Sequence, residues 1–195
     1  MESRRNNRTI HRKQLQRFDE PHEARFLTFS CFQQRPFLSG DRSRRWFVEA
    51  LDRAREKHHL DLWAYVIMPE HVHLILYPRE GVVKIADFLY SLKKSVTNRA
   101  LDFVRRETPG FLRQMEDRQP NGTISYRFWQ RGGGYDENLF NPRKVWEKIH
   151  YIHMNPVRRE LCETPESWPW SSAAAYETGT CHPIRIDFYS LPSKN

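Results

Sequence analysis

Long apolar runs are missing from this chain of 195 residues. None approaches the roughly 20 consecutive apolar residues that a membrane-spanning helix needs. The first eight residues, Met-Glu-Ser-Arg-Arg-Asn-Asn-Arg, carry no signal-peptide pattern. No membrane partner is expected, and a cytoplasmic location is. Cysteine is scarce as well. Cys31, Cys162 and Cys181 are odd in number, lie far apart and form no Cys-x-x-Cys motif. That argues against a disulfide framework and for free, mostly buried thiols in a reducing compartment. Neither an internal repeat nor a second domain is visible, and the length suits one compact domain with tails.

Positive charge and aromatic rings are what the chain has instead. The net charge is +8 and the isoelectric point about 9.6. Residues 1–17 hold Arg4, Arg5, Arg8, Arg12, Lys13 and Arg17 against Glu2, so five of the eight net charges lie there. Residues 1–22 read as a disordered basic tail able to hold a polyanion, and the balance favours nucleic acid. Aromatic residues make up 13% of the chain and supply a core that the modest aliphatic content alone would leave thin.

The apolar pattern reads as strand, helix, strand, strand, helix, strand, helix. Strands are expected at 24–32, 60–68, 71–77 and 125–130, and helices at 42–58, 82–106 and 141–155. Pro69-Glu70 joins the second and third strands as a hairpin. Asn141 is the N-cap of the third helix, Pro142 its first residue, and Pro156 its stop. This order is the ferredoxin-like split β-α-β pattern: an antiparallel sheet, helices on one face and an added C-terminal helical extension. The domain should span 23–178, leaving 179–195 as a C-terminal tail.

Two histidines stand in the third strand, within Val-Ile-Met-Pro-Glu-His-Val-His-Leu-Ile-Leu at 66–76. Residues two apart on a strand share a face. His71 and His73 are thus side by side while Val72 turns into a core, an arrangement that suits a metal site. The third helix offers Tyr-Ile-His-Met-Asn-Pro at 151–156. Four apart, Tyr151 and Asn155 share a face, so a phenol able to attack stands beside a carboxamide oxygen able to ligate a hard cation.

Four segments together resemble the HUH single-strand tyrosine transposases, and most closely their REP-associated branch. They are Met-Pro-Glu-His-Val-His-Leu-Ile-Leu at 68–76, Phe-Trp-Gln-Arg-Gly at 128–132, Tyr-Ile-His-Met-Asn-Pro-Val-Arg-Arg at 151–159 and Trp-Pro-Trp-Ser-Ser at 168–172. The resemblance covers residues 24–176; the basic tail lies outside it, and the glycine triplet 132–134 followed by Tyr135-Asp136 matches only some members. It implies a ferredoxin-like catalytic fold and a divalent cation, Mg²⁺ or Mn²⁺. It also implies a phosphotyrosine intermediate on single-stranded DNA, with hairpin elements as targets. His71 and His73 match the metal ligands and Tyr151 the nucleophile. Asn155 stands where the REP-associated branch has Asn and insertion-sequence members usually have Gln, which makes it the third ligand. Insertion-sequence relatives act as dimers, so a homodimer is left open.

Lys93, Lys94, Arg99, Arg158 and Arg159 are the candidate DNA contacts, weighed against a solvated charged face. Trp129, Trp168 and Trp170 read as packing residues. Three other readings compete: a catalytically silent hairpin-binding protein, a metal-dependent hydrolase in which water attacks, and an RNA-binding module. The scarcity of carboxylates beside the histidines, Glu70 apart, weighs against the hydrolase. Histidines on a central strand weigh against the RNA module, whose sheets present aromatics.

Overall fold

A computed structural model describes residues 22–180 and 183–194. The basic tail, except its last residue, and Cys181 lie outside the described residues. The elements are β1 (Ala24–Ser30), α1 (Asp41–Lys57), β2 (Leu60–Ile67), β3 (His71–Pro78), α2 (Ile85–Glu107), α3 (Leu112–Met115), β4 (Glu116–Arg118), β5 (Ile124–Tyr126), β6 (Tyr135–Leu139), α4 (Pro142–His153), α5 (Asn155–Arg158) and α6 (Ala173–Thr178). The main sheet has the order β2-β3-β1-β6 and is antiparallel throughout. This is the ferredoxin-like arrangement, with β1 and β3 at the centre.

Strand alternation divides the core in two. Leu27, Phe29, Val72, Leu74 and Leu76 face α1 and α2, whereas Phe26, Ile75 and Leu139 face α4. The helices of the split unit therefore share one face, and the added helix α4 covers the other with Val145, Ile149 and Ile152. A bulge in β2 between Leu62 and Ala64 turns both Trp63 and Ala64 toward α4.

Three sequence expectations are corrected. The fourth strand is not 125–130. Ile124–Tyr126 pairs with β4 in a separate ribbon, and Trp129 makes only an isolated bridge to Cys31. Phe128 and Trp129 are buried anchors on the α1–α2 side, so their apolar pattern reflects packing and not a ladder. The true fourth strand, β6, is polar in sequence, and the glycine run delivers it to β1. Gly134 has φ +77, and a Cβ there would lie 2.0 Å from the Thr28 carbonyl oxygen, so only glycine allows this approach. The third helix also stops earlier than Asn155. It ends at His153, and a separate turn begins at Asn155, because Pro156 has no N–H to continue the ladder. Finally, the stretch read as a C-terminal tail is packed structure. Ile184 and Ile186 are buried in the core, and Asp187 is buried with them.

Candidate active site

The hairpin places the histidines. Met68 N–H donates to the His71 carbonyl at 2.9 Å, closing a two-residue turn at Pro69-Glu70. His73 then pairs in register with Thr28 on β1, and Thr28 with Tyr135 on β6. These three side chains share the face covered by α4.

The two imidazoles converge. His71 Nε2 and His73 Nε2 are 3.0 Å apart, and Asn155 Nδ2 is 3.0 Å from His73 Nε2. Each ring is held at its other nitrogen: His71 Nδ1 lies 3.0 Å from Glu70 Oε1, and His73 Nδ1 lies 2.7 Å from Thr28 Oγ1. With Nδ1–H donated outward in both rings, both Nε2 lone pairs face one point. Burial, reinforced by the nearby charges of His71 and Lys148, pushes His73 down to about 3. Burial also lowers His71, against the opposing pull of Glu70. Both rings are therefore neutral at physiological pH, the state that ligates metal. Among the described residues no group of three or more His, Cys, Asp or Glu converges; the further polar side chain at the two Nε2 atoms is the Asn155 amide. Its amide donates Nδ2–H as placed; turned about Cβ–Cγ, it presents Oδ1. Two neutral imidazoles with backed far nitrogens and one carboxamide fit a divalent cation.

Tyr151 stands at the rim. It is 42% exposed, so its phenol meets solvent and anything bound there. Its ring centroid is 5.7 Å from that of His73 and 6.1 Å from that of Phe26, both edge-on. Phe26 stacks on His73 at 5.6 Å, so one ring buttresses both His73 and Tyr151.

The basic candidates separate into four places. Arg159 donates to Glu70 Oε1 at 2.7 Å, the same oxygen that faces His71. Burial raises the Glu70 carboxyl, but the bond from Arg159 and the His71 charge outweigh it and hold it below its ordinary value. Arg158 donates to the Tyr151 carbonyl at 3.1 Å with its guanidinium 5.1 Å from the Tyr151 ring centre. Lys93 and Lys94 line a groove of about 430 Å³ between α2 and residues 126–133. Arg99 pairs with Glu49 on α1 and is not part of that groove. Trp129 is buried, and Trp168 Nε1 donates to the Ile67 carbonyl at 3.1 Å, so both pack.

Thr28, Phe26, Lys148, Glu137 and Tyr135 were not singled out from the sequence. The signal for the β1 and β6 residues lies in strand register, which one chain does not display. Lys148 was accessible in principle, since it precedes Tyr151 by three on the same helix.

No protein-family model matches the chain. A Haemophilus influenzae protein provisionally named a REP-associated tyrosine transposase is 26% identical over 126 residues, covering 65% of this chain and 66% of that protein. The match thus spans just under two thirds of that relative's length. Among solved structures, a REP-associated tyrosine transposase bound to a REP hairpin aligns with a TM-score of 0.65 and 17% identity, covering 93% of this chain and 98% of the other. A Deinococcus radiodurans R1 structure, provisionally described as a transposase, aligns with a TM-score of 0.42 and 19% identity over 72% of this chain and 95% of that one. The chain is therefore similar to REP-associated tyrosine transposases, in sequence to the Haemophilus protein and in fold to the hairpin-bound structure.

Proposed function

We propose that this protein nicks and rejoins single-stranded DNA beside a hairpin, with Tyr151 as nucleophile and His71, His73 and Asn155 holding a divalent cation, Mg²⁺ or Mn²⁺. The observation that carries this reading is the convergence of the two Nε2 atoms and the Asn155 amide beside an exposed tyrosine. The likeness to a hairpin-bound relative supports the DNA hairpin as substrate.

The phenol oxygen of Tyr151 attacks the phosphorus in line with the departing 3′-oxygen. The new P–O bond leaves a 5′-phosphotyrosine, and the proton lost by the phenol balances the one gained by the released 3′-hydroxyl. A 3′-hydroxyl attacking that linkage reverses the step, so no external energy source is needed. A bound cation supplies charge stabilisation for the phosphoryl oxygens. Thr28 and Glu70 fix the ring orientations of His73 and His71, and Phe26 sets the angle between His73 and Tyr151. Arg158, beside the Tyr151 ring, is placed to face the strand.

The test is Tyr151→Phe incubated with Mn²⁺ and single-stranded oligonucleotides from the flanks of the protein's own gene. The parent protein should form a covalent adduct that survives denaturation; the variant should bind the same DNA and form none. An adduct on the variant removes Tyr151 from the mechanism, and a parent that binds but never forms one favours a silent hairpin-binding protein.

A further inference from the structure

A second aromatic and a second cation lie on the same face as the histidines, two strands away. Tyr135, Thr28 and His73 form one row across β6, β1 and β3, so the Tyr135 backbone is about 10 Å from that of His73 at ordinary strand spacing. Tyr135 is 49% exposed. Its ring meets Phe26 edge-on at 5.9 Å, the same ring that touches His73 and Tyr151. Lys148 precedes Tyr151 by three residues on α4, and its ammonium lies 4.7 Å from the Phe26 ring centre and 5.8 Å from that of Tyr135. Glu137 ties them together: Tyr135 donates its hydroxyl to Oε2 at 2.8 Å, and Lys148 Nζ sits 2.6 Å from the same oxygen.

Folding alone does not account for this cluster. An exposed tyrosine buries little area, and a partly exposed Lys–Glu pair contributes at most about 1 kcal/mol. The arrangement instead presents a flat ring and a cation, opening beside Tyr151, which is how single-stranded nucleic acid is held. An ammonium carries three donors, so one bond to Glu137 leaves capacity for a phosphate oxygen. Tyr135 itself is not a second nucleophile. Its proton is held by Glu137, and that bond, with burial, raises its pKa.

We propose that Tyr135 and Lys148, held in place by Glu137, form a one-nucleotide subsite flanking the phosphate attacked by Tyr151. The base of the flanking nucleotide stacks on Tyr135, and its phosphate meets Lys148. The subsite rests on the proposed function above and adds a contact surface outside the histidine–tyrosine centre.

The experiment uses the full chain without divalent metal and fluorescein-labelled single-stranded oligonucleotides, each with one abasic position stepped across the nick mapped by the adduct assay. Binding is read by anisotropy. Tyr135→Ala should weaken binding roughly ten-fold to the intact strand. It should make no difference on the one oligonucleotide that lacks the base beside the nick. Lys148→Met should weaken binding and reduce the salt slope by about 0.7. Tyr135→Phe keeps the ring and its packing on Phe26 and loses only the bond to Glu137, so it should retain most of the binding that Tyr135→Ala loses, which separates stacking from any loss of folding. Parent-like binding by Tyr135→Ala overturns the subsite while leaving the proposed function standing; so does an equal loss on every abasic strand. A parent protein that binds no oligonucleotide overturns both.

Discussion

Glu70 is one carboxylate with two partners. Its Oε1 faces His71 Nδ1 at 3.0 Å and accepts from Arg159 at 2.7 Å. Arg159 follows α5, the turn that carries Asn155, so this oxygen couples the Asn155 segment to the His71 ring. Backing groups of this kind typically change metal affinity by about 10- to 100-fold. Glu70→Ala should weaken Mn²⁺ binding by that order in isothermal titration calorimetry, with an unchanged unfolding midpoint in the absence of metal. Unchanged affinity would mean that β3 alone sets the His71 ring. The adjacency of Glu70 to His71 is visible in the sequence. Its bond to Arg159, 89 positions away, is not, and read alone Arg159 looks like a DNA contact.

His153 makes a second prediction at this scale. It is buried, its Nε2 lies 2.8 Å from Ser172 Oγ, and burial, with the nearby His150, lowers it from 6.5 to about 4. Above pH 6.5 the ring is neutral in both folded and unfolded chains, so its contribution to stability is fully present. As pH falls below 6.5 the unfolded chain takes up a proton that the folded protein refuses until about 4. Stability is lost across that window at up to roughly 1.4 kcal/mol per pH unit from this group. The His153 imidazole resonance should therefore hold its neutral shift from pH 7 to 5 while the urea midpoint declines. A titration midpoint near 6.5 would contradict the buried placement.

At the scale of elements, the apolar ones were legible and the polar one was not. α1 and α2 announce themselves because each buries one face with helical period, and β1, β2 and β3 because each is a short apolar run buried on both faces; the hairpin holding both histidines follows from Pro69-Glu70 between two such runs. β6 reads Tyr-Asp-Glu-Asn-Leu and offers no such pattern. It is a strand because β1 supplies its ladder and because the buried Arg25 pairs with Asp136. The Ser125–Gln130 run misled for the converse reason, since its aromatics are anchors and not rungs. Gly134 is the residue on which the placement of β6 turns. Gly134→Ala would put a methyl group against the Thr28 carbonyl at positive φ, costing on the order of 2 kcal/mol or more. Gly132→Ala, at φ +91 with nothing within 4 Å, should cost only the backbone penalty of about 1 kcal/mol. Denaturant midpoints of the two variants compare them directly, and equal losses would show that the close approach to Thr28 is not what holds β6.

Across the whole molecule, the C-terminal segment closes the sheet. β2 is an edge strand, and an exposed edge invites pairing with another chain. Here its outward groups are taken. Ile67 N–H donates to the Trp170 carbonyl at 2.8 Å, and Ser172 N–H to the Tyr65 carbonyl at 3.0 Å. Further along, Leu62 and Asp187 exchange bonds, Leu62 N–H to Asp187 Oδ2 at 2.9 Å and Asp187 N–H to the Leu62 carbonyl at 3.0 Å. A second copy therefore finds no free strand at this edge. The strap is pinned by Arg55, which donates to Asp187 Oδ2 at 2.7 Å with both side chains buried. Trp146 on α4 donates to the Pro192 carbonyl at 3.1 Å, so the same strap reaches the helix that carries Tyr151. Removing the carboxylate leaves Arg55 with Asp52 at 2.8 Å and the buried Leu62 N–H without its acceptor, a loss on the order of 2 kcal/mol. Asp187→Ala should lower the urea midpoint accordingly. A chain ending at residue 180 keeps Trp170 and Ser172 but loses Asp187, so it should lose more stability and gain a concentration-dependent tendency to self-associate through the uncovered Leu62 end of β2. Equilibrium unfolding and sedimentation velocity read the two effects separately. A truncated chain that unfolds like the parent and stays monomeric would mean that β2 needs no cover, and that the strap serves only to fix α4.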